Sequence, residues 1–410
     1  MKVLWLGHNL AYPPKTGPLQ RNYNLLRELA KRYEVHVLAF DQPATRTNDI
    51  APQDCAQALS SFCTSVDWVS LSKNSRYWLA LKGLVSKDPF EFHWLKSLGM
   101  EGKLRSCLAR IHFDVIHFDT LGLAQYRHIV RNSGTVLNHH DVQSSLIARR
   151  ATLESNFVFK QYWKREARKL RESEEKWCPR FNTNLAVSRE DQAQLLDIAP
   201  SASIRVVPNG VDTSYFRPRP DPGGRTLLFC GSLDMYPNGD AMHYFFKAIW
   251  PKLISRLHNV EMHVVGRKPP NWLRNLSAKD RRIHLPGFVD DVRPYFQKAT
   301  AFVCPIRDGG GTRLKILDSL AMGVPVIGTT FASSGLYLDH EKHILLADTP
   351  EDFVRSVEQV LSSKAFRESL SDAGVEIVNR VYSWNVIGQS LIEAYDAAKF
   401  AYDKGIYNNN

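Results

Sequence analysis

The sequence predicts an α/β protein made of two doubly wound parallel-sheet halves that face one another across a cleft. Three observations predict it. Short β-rich runs alternate with helical stretches along most of the chain, the pattern of parallel strands joined by helical crossovers. At 410 residues the chain exceeds what one hydrophobic core usually organises. A stretch rich in proline and glycine, 208–224, keeps neither helical nor strand periodicity and splits the alternation into two series.

In the first series a strand over Lys2–Gly7 is followed by a loop containing Pro13, Pro14, Gly17 and Pro18, then a helix over about 19–32. Further strands are expected at 34–40, 66–71, 114–119, 135–139, 183–188 and 204–207. The second series places strands at 227–231, 261–266, 282–286, 301–305, 325–329 and 344–347, with helices between them. Helices from about Pro350 close the chain, one of them near 384–402, and 408–410 reads as a frayed end. The domains that follow are 1–207, a hinge at 208–224, 225–383, and a terminal segment, 384–410, expected to cross back to the first domain. Open parallel sheets bind ligands beyond the carboxyl ends of their strands, so each half offers one wall of the cleft to a substrate.

Composition, 44% hydrophobic and 23% charged, is that of a globular chain rather than a disordered one. The six cysteines, Cys55, Cys63, Cys107, Cys178, Cys230 and Cys304, form no C-x-x-C pair and read as packing residues in a reducing compartment. The apolar run at residues 3–6 is too short for a secretory leader, and no run is long enough to span a bilayer, so cytoplasmic residence is expected. A formal charge of +11 suits phosphorylated ligands, anionic lipid or nucleic acid. A recognition helix, a zinc module and an RNP-like aromatic strand are all missing, which argues against a specific nucleic-acid binder.

The most informative segment, 305–327, reads Pro-Ile-Arg-Asp-Gly-Gly-Gly-Thr-Arg-Leu-Lys-Ile-Leu-Asp-Ser-Leu-Ala-Met-Gly-Val-Pro-Val-Ile. Gly309, Gly310 and Gly311 let backbone approach a bulky anion, and the next helix begins with unpaired N–H groups that point at it. Arg313 and Lys315 fall in that first turn, where a cation is poorly placed against the helix dipole unless an anion is bound. One turn on, Asp318 sits among Leu317, Leu320 and Ala321 and needs a partner such as a pair of ribose hydroxyls. Taken locally, a glycine-rich surface turn before an ordinary amphipathic helix remains the alternative.

This segment resembles the GT-B glycosyltransferases of retaining family 4, in particular bacterial exopolysaccharide-type members with a G-G-G-T-R-x-K-I-L-E-A-M-A signature. The resemblance continues at 229–241, 264–267 and 285–294, and in the motif Val-Pro-Asn-Gly-Val-Asp at 207–212. It implies two Rossmann-like domains around a central cleft, with a nucleotide diphosphate sugar, UDP- or GDP-linked, held mainly by the C-terminal half. The donor contacts it implies are Gly17, Ser232, Asn238, Arg267, Gly310, Gly311, Thr312, Arg313, Lys315 and Asp318. The chain departs from the family twice: the usual Glu-x7-Glu pair falls on Gly310 and Asp318, and Asn238 stands where a phosphate-binding lysine is usual. Asp308 is the nearest replacement for the missing carboxylate. No cofactor or metal is expected, because N–H groups with Arg or Lys can stabilise a departing diphosphate, and no D-x-D triplet occurs; Asp290 and Asp291 read as a turn or cap.

By the same resemblance the loop 13–21, with Gly17 and then Pro18 in place of a second glycine, lies near the donor phosphates. His140, in Asn-His-His-Asp at 138–141, aligns with the family's cleft histidine, and Asp141 is expected to orient or assist it. Acceptors are expected to be saccharides or lipid-linked sugars. The stretch 76–84 with Phe90, Phe92 and Trp94, and the basic, aromatic helix around 157–176, suit peripheral docking on the anionic cytoplasmic face of the inner membrane. A nucleotide-sugar epimerase of the same fold and a non-catalytic nucleotide-sugar binder remain alternatives.

Overall fold

The computed structural model describes residues 1–42, 50–71 and 86–405. It divides into two compact units, Met1–Pro208 with Ile387–Asn410, and Asn209–Val386.

The first unit carries a parallel sheet of strands β1 (Lys2–Gly7), β2 (Glu34–Asp41), β3 (Ser65–Ser70), β4 (Val115–Phe118), β5 (Gly134–Asn138), β6 (Thr183–Ala186) and β7 (Ile204–Val206). Their order is β3-β2-β1-β4-β5-β6-β7. The inner strands are buried along nearly their whole length, as expected for a sheet covered on both faces. Leu6 pairs with Leu38 on one side and Phe118 on the other. The order reverses between β1 and β4, and the loops leaving such a switch point diverge to opposite faces and leave a crevice. Residues 8, 119 and 139–140 leave the carboxyl ends of three neighbouring strands there.

The second unit repeats the scheme with β8 (Thr226–Cys230), β9 (Glu261–Val265), β10 (Ile283–Gly287), β11 (Ala301–Cys304), β12 (Val326–Gly328) and β13 (Leu345–Leu346), ordered β10-β9-β8-β11-β12-β13. Alternation along β11 serves two apolar layers: Phe302 and Cys304 pack into one, Ala301 and Val303 into the other. The switch point lies between β8 and β11, where residues 231–232 and the glycine loop emerge.

Most of the stretch expected as a hinge is fixed to the second unit. Val211 bridges Ser383, Arg219 donates to the Ala299 carbonyl, and Asp221 accepts from Arg367 at 2.7 Å. From Ile387 the terminal helix, Trp384–Asp403, belongs to the first unit. There the Tyr395 hydroxyl lies 2.7 Å from His117 Nδ1, and Tyr33 donates to Asp396 at 2.8 Å. Gly134 permits the approach: a Cβ there would sit 2.9 Å from the Ala398 carbonyl oxygen.

None of the six cysteines is in a disulfide, and five are buried. No helix among the described residues is long and apolar enough to cross a membrane. The stretch 76–84 lies outside the described residues. Of its neighbours, Phe92 is buried in the core, while Phe90 and Trp94 are half-buried and the Trp94 indole donates to Gln42 at 3.0 Å.

Candidate functional site

In the second unit the chain leaves β11 at Cys304 and enters the helix Leu314–Ala321 through the glycine loop. Gly309 has φ +120°, and a Cβ there would also meet Pro237 at 3.0 Å, so glycine is required twice over. Arg313 is the capping residue before the helix rather than part of its first turn. Its guanidinium is buried, lies 5.2 Å from the Phe331 ring, donates to the Gly310 carbonyl at 2.6 Å and also reaches the Gly311 carbonyl. The cation expected to face a diphosphate instead braces the loop's own carbonyls. Thr312 accepts from the Asn209 amide at 2.7 Å.

Lys315 crosses to the end of β8. Its Nζ donates to Asn238 Oδ1 at 2.7 Å and lies 4.5 Å from the Phe229 ring, while Asn238 Nδ2 donates to the Ser232 carbonyl at 2.8 Å. Gly231 leaves room for the amine, since a Cβ there would lie 2.5 Å from Nζ. Burial pulls the Lys315 ammonium down to about 8, against the opposing pull of the nearby thiols and Asp318. Asp318 is half-buried, and its carboxylate has no hydrogen-bond partner among the described residues; burial pushes it up to about 7, with Lys315 pulling the other way. Arg267, expected as an open cation, is held by Asp234 at 3.3 Å, with Lys268 at 3.6 Å from the same carboxylate. Asp308 is half-exposed and bonded to no protein group among the described residues. Asp291 caps its own turn, accepting from the Arg293 backbone N–H at 2.9 Å.

In the first unit Gly17 opens the helix Gly17–Ala30, with Pro18 behind it. That helix buries Arg21 and Asn22 against the strand ends: Arg21 donates to Asn138 Oδ1 at 3.1 Å and to the Pro208 carbonyl at 2.9 Å. The group that organises this switch point is Asp119, which sequence reasoning did not single out. Its side chain is fully buried, with His140 Nε2 at 3.1 Å from Oδ1, the Asn22 amide at 2.7 Å from Oδ2, and His8 Nδ1 also on Oδ2. Burial alone would raise the Asp119 pKa; the two imidazoles overcome it and hold the carboxyl far below the usual range. His140 is therefore oriented by Asp119 and not, as expected, by Asp141. The Asp141 carboxylate makes no hydrogen bond among the described residues, and burial with Asp191, Glu91 and Glu174 pushes it up to about 7.

Among the described residues two groups have the composition of a metal site, His8 with Asp119 and His140, and Glu261 with His263 and His284 on β9 and β10. In the first, each Asp119 oxygen already receives an imidazole.

The family model described as Glycosyltransferase Family 4 matches residues 20–215, and that described as Glycosyl transferases group 1 matches 224–363. The chain belongs to the family 4 glycosyltransferases. The second match contains Ser232, Asn238, Arg267 and all of 309–318; the first contains Asp119, His140 and Asp141, while His8 and Gly17 precede it. Among relatives, the chain is 27% identical over 206 residues to a phosphatidyl-myo-inositol mannosyltransferase of Mycolicibacterium smegmatis, covering 48% of this chain and 52% of that one. It is 25% identical over 218 residues to a GDP-mannose-dependent alpha-(1-6)-phosphatidylinositol monomannoside mannosyltransferase of Mycobacterium tuberculosis, covering 47% and 56%. The chain thus spans about half the length of the curated relatives it matches. Among solved structures, sucrose-phosphate synthase from Thermosynechococcus elongatus superposes with a TM-score of 0.70 at 14% identity, over 98% of this chain and 100% of that one. Anabaena HepE in complex with UDP superposes with a TM-score of 0.69 at 12% identity, over 97% and 100%. Likeness at such identities shows the fold alone, which is the α/β GT-B fold of two Rossmann-like domains.

Proposed function

We propose that this protein is a retaining glycosyltransferase that moves a sugar from a UDP- or GDP-linked donor to an acceptor hydroxyl, in cell-surface polysaccharide or glycolipid assembly. One observation carries the reading. At the switch point of the second unit a glycine loop and a helix start stand beside the Lys315 amine and an Asp318 carboxylate that no protein group among the described residues satisfies. Breaking a glycosyl–phosphate bond requires negative charge to be stabilised on the departing diphosphate, which N–H groups and one ammonium supply without a metal. A half-buried carboxylate with open acceptor sites suits a ribose diol. His140, held by Asp119, is assigned to positioning the transferred sugar or the acceptor.

Relatives named for GDP-mannose and phosphatidylinositol mannosides favour a lipid-linked acceptor, and a structural neighbour solved with UDP keeps uridine among the donors to be tested. A second surface favours acceptors at a membrane. At the turn between the helices Gln143–Leu153 and Phe157–Trp177, Leu153, Phe157, Val158 and Phe159 are 53, 71, 73 and 57% exposed. Arg149, Arg150, Lys164, Arg165 and Arg168 are exposed around them. Apolar side chains ringed by cations fit an anionic leaflet.

Titration calorimetry with UDP and GDP tests the donor site. Lys315→Ala and Asp318→Ala should each weaken the better-bound nucleotide by about 1 to 3 kcal/mol, the range for a lost charged hydrogen bond. Unchanged affinity in both variants removes the assignment. A product assay without acceptor separates transfer from epimerisation, since an epimerase converts the donor and a transferase only hydrolyses it slowly.

A further inference from the structure

We propose that Glu261, His263 and His284 form a binding site for one zinc ion, which ties the edge strand β10 to β9 in the second unit. The proposal goes beyond the transferase reading and does not depend on it, since the three residues stand apart from the glycine loop and from Lys315.

The strand register builds the site. Glu261 and His263 alternate along β9, so their side chains leave the same face. In the parallel pair of β9 and β10, His284 is the direct Cα partner of His263 and shares that face. The intervening Met262 and Val264 on β9, with Ile283 on β10, turn the other way into an apolar layer. Two hydrogen-bonded strands therefore present all three groups, and β10 is the edge of the sheet. Glu261 and His284 are exposed and His263 is half-buried, which leaves the site open to an ion and to water.

The three heads converge without bonding to one another. Nε2 of His263 and Nε2 of His284 each lie 3.8 Å from the same Glu261 oxygen, Oε2, and the two rings stand 4.6 Å apart at a tilt of 55°. At 3.8 Å neither contact is a hydrogen bond. One ligand atom from each residue lies within 4.8 Å of the other two. On a tetrahedral zinc with bonds of about 2.0 to 2.1 Å the ligand atoms stand roughly 3.3 Å apart, so modest side-chain rotation closes the set. His263 Nδ1 is buried without a hydrogen-bond partner among the described residues, and no other bond dictates the orientation of that ring.

The chemistry of the donor set names the ion. Two imidazoles with one carboxylate suit zinc, whereas magnesium and calcium take sets made of oxygen. Three protein ligands leave the fourth position to water. Tyr295, on the helix Arg293–Lys298, bounds the site with its ring 6.3 Å from His263, and the exposed Lys298 at the end of that helix adds a charge that opposes a cation. Glu261 and His284 lie at the amino-terminal starts of their strands, whereas Arg267 and the glycine loop follow carboxyl ends. The ion is therefore a staple on an edge strand and takes no part in transfer. The other group of this composition differs, because both oxygens of Asp119 already receive an imidazole.

Zinc binding to the full chain, measured near neutral pH by competition with a chromophoric chelator, tests the proposal. The parent should bind one tight equivalent. Glu261→Gln, His263→Gln and His284→Gln should each weaken it at least about 100-fold, more than the 10- to 100-fold typical when only a group supporting a ligand is lost. His8→Gln should leave it unchanged. X-ray absorption at the zinc edge should show two imidazoles and no sulfur. A parent without a tight equivalent, or one whose tight equivalent survives His284→Gln, overturns the proposal. So does its loss in His8→Gln, which would place the ion in the first unit. Glu261 and His284 are exposed, so their variants should melt as the parent does without zinc and carry the test even where His263→Gln fails to fold.

Discussion

Burial raises the pKa of Asp318 and lowers that of Lys315, and each shift yields a prediction. For Asp318 the folded pKa of about 7 lies above that of the unfolded chain. The folded state therefore binds more protons than the unfolded one between roughly pH 4 and 7, and stability falls as pH rises through that window. Asp318→Asn should raise the melting temperature of the ligand-free protein at pH 8 by about 2 °C or more, leave it nearly unchanged near pH 4, and weaken nucleotide binding. A variant that melts no higher at pH 8 would show that the carboxylate has a protein partner after all. For Lys315, depressed to about 8, the ammonium that attracts the diphosphate is lost as pH rises through that value. Nucleotide affinity should fall between pH 7 and 9.5 in the parent and stay flat in Lys315→Ala, as calorimetry at the two pH values can check. Lys315 and Asp318 were legible in the sequence because they share one turn of a helix directly after three glycines. Asp119 was not, because its partnership with His8 and His140 exists only once three strand ends lie side by side.

Among the elements, the terminal helix carries a structural load that its position in the chain does not advertise. Tyr395 is fully buried in the first unit beside His117, whose other ring nitrogen, Nε2, is buried without a partner. Tyr395→Ala should cost about 3 to 5 kcal/mol in denaturant unfolding, as for other large buried aromatics. Tyr395→Phe should cost about 1 to 3 kcal/mol, through the unsatisfied imidazole that remains. Near-parental stability in both would mean that the helix is dispensable to the first unit. The turn between helices at 153–159 makes the opposite kind of prediction, for a surface. Phe157→Ser with Phe159→Ser should leave the melting temperature within a degree or two of the parent and reduce sedimentation with phosphatidylglycerol vesicles at least about tenfold, since each buried phenyl contributes roughly 1.5 to 3 kcal/mol. Equal sedimentation would remove this surface from the account. The periodicity of these helices was visible in sequence, and so were the strands to within a residue or two, because parallel strands covered on both faces are continuous apolar runs. The packing of Phe92 and Trp94 was not, since an aromatic residue among basic ones looks the same whether it faces lipid or the core.

Across the whole molecule, both units place chemistry-bearing side chains where the strand order reverses, at β1 and β4 in one and at β8 and β11 in the other. The division into two units was readable from length and from the break in periodicity. The attachment of 209–224 to the second unit was not, because it depends on Arg219 and Asp221 meeting residues far along the chain. A charge of +11 predicts that vesicle and nucleotide binding, as proposed above, both weaken as salt is added. The segment from Gly309 to Asp318 is the proposed grip on the donor, and the other assignments depend on it. A structure of the protein crystallised with UDP or GDP tests that claim directly: the diphosphate should lie against the glycine loop and the Lys315 amine, with the ribose hydroxyls on Asp318. A nucleotide lodged elsewhere, with that loop closed by the protein's own side chains, would contradict it.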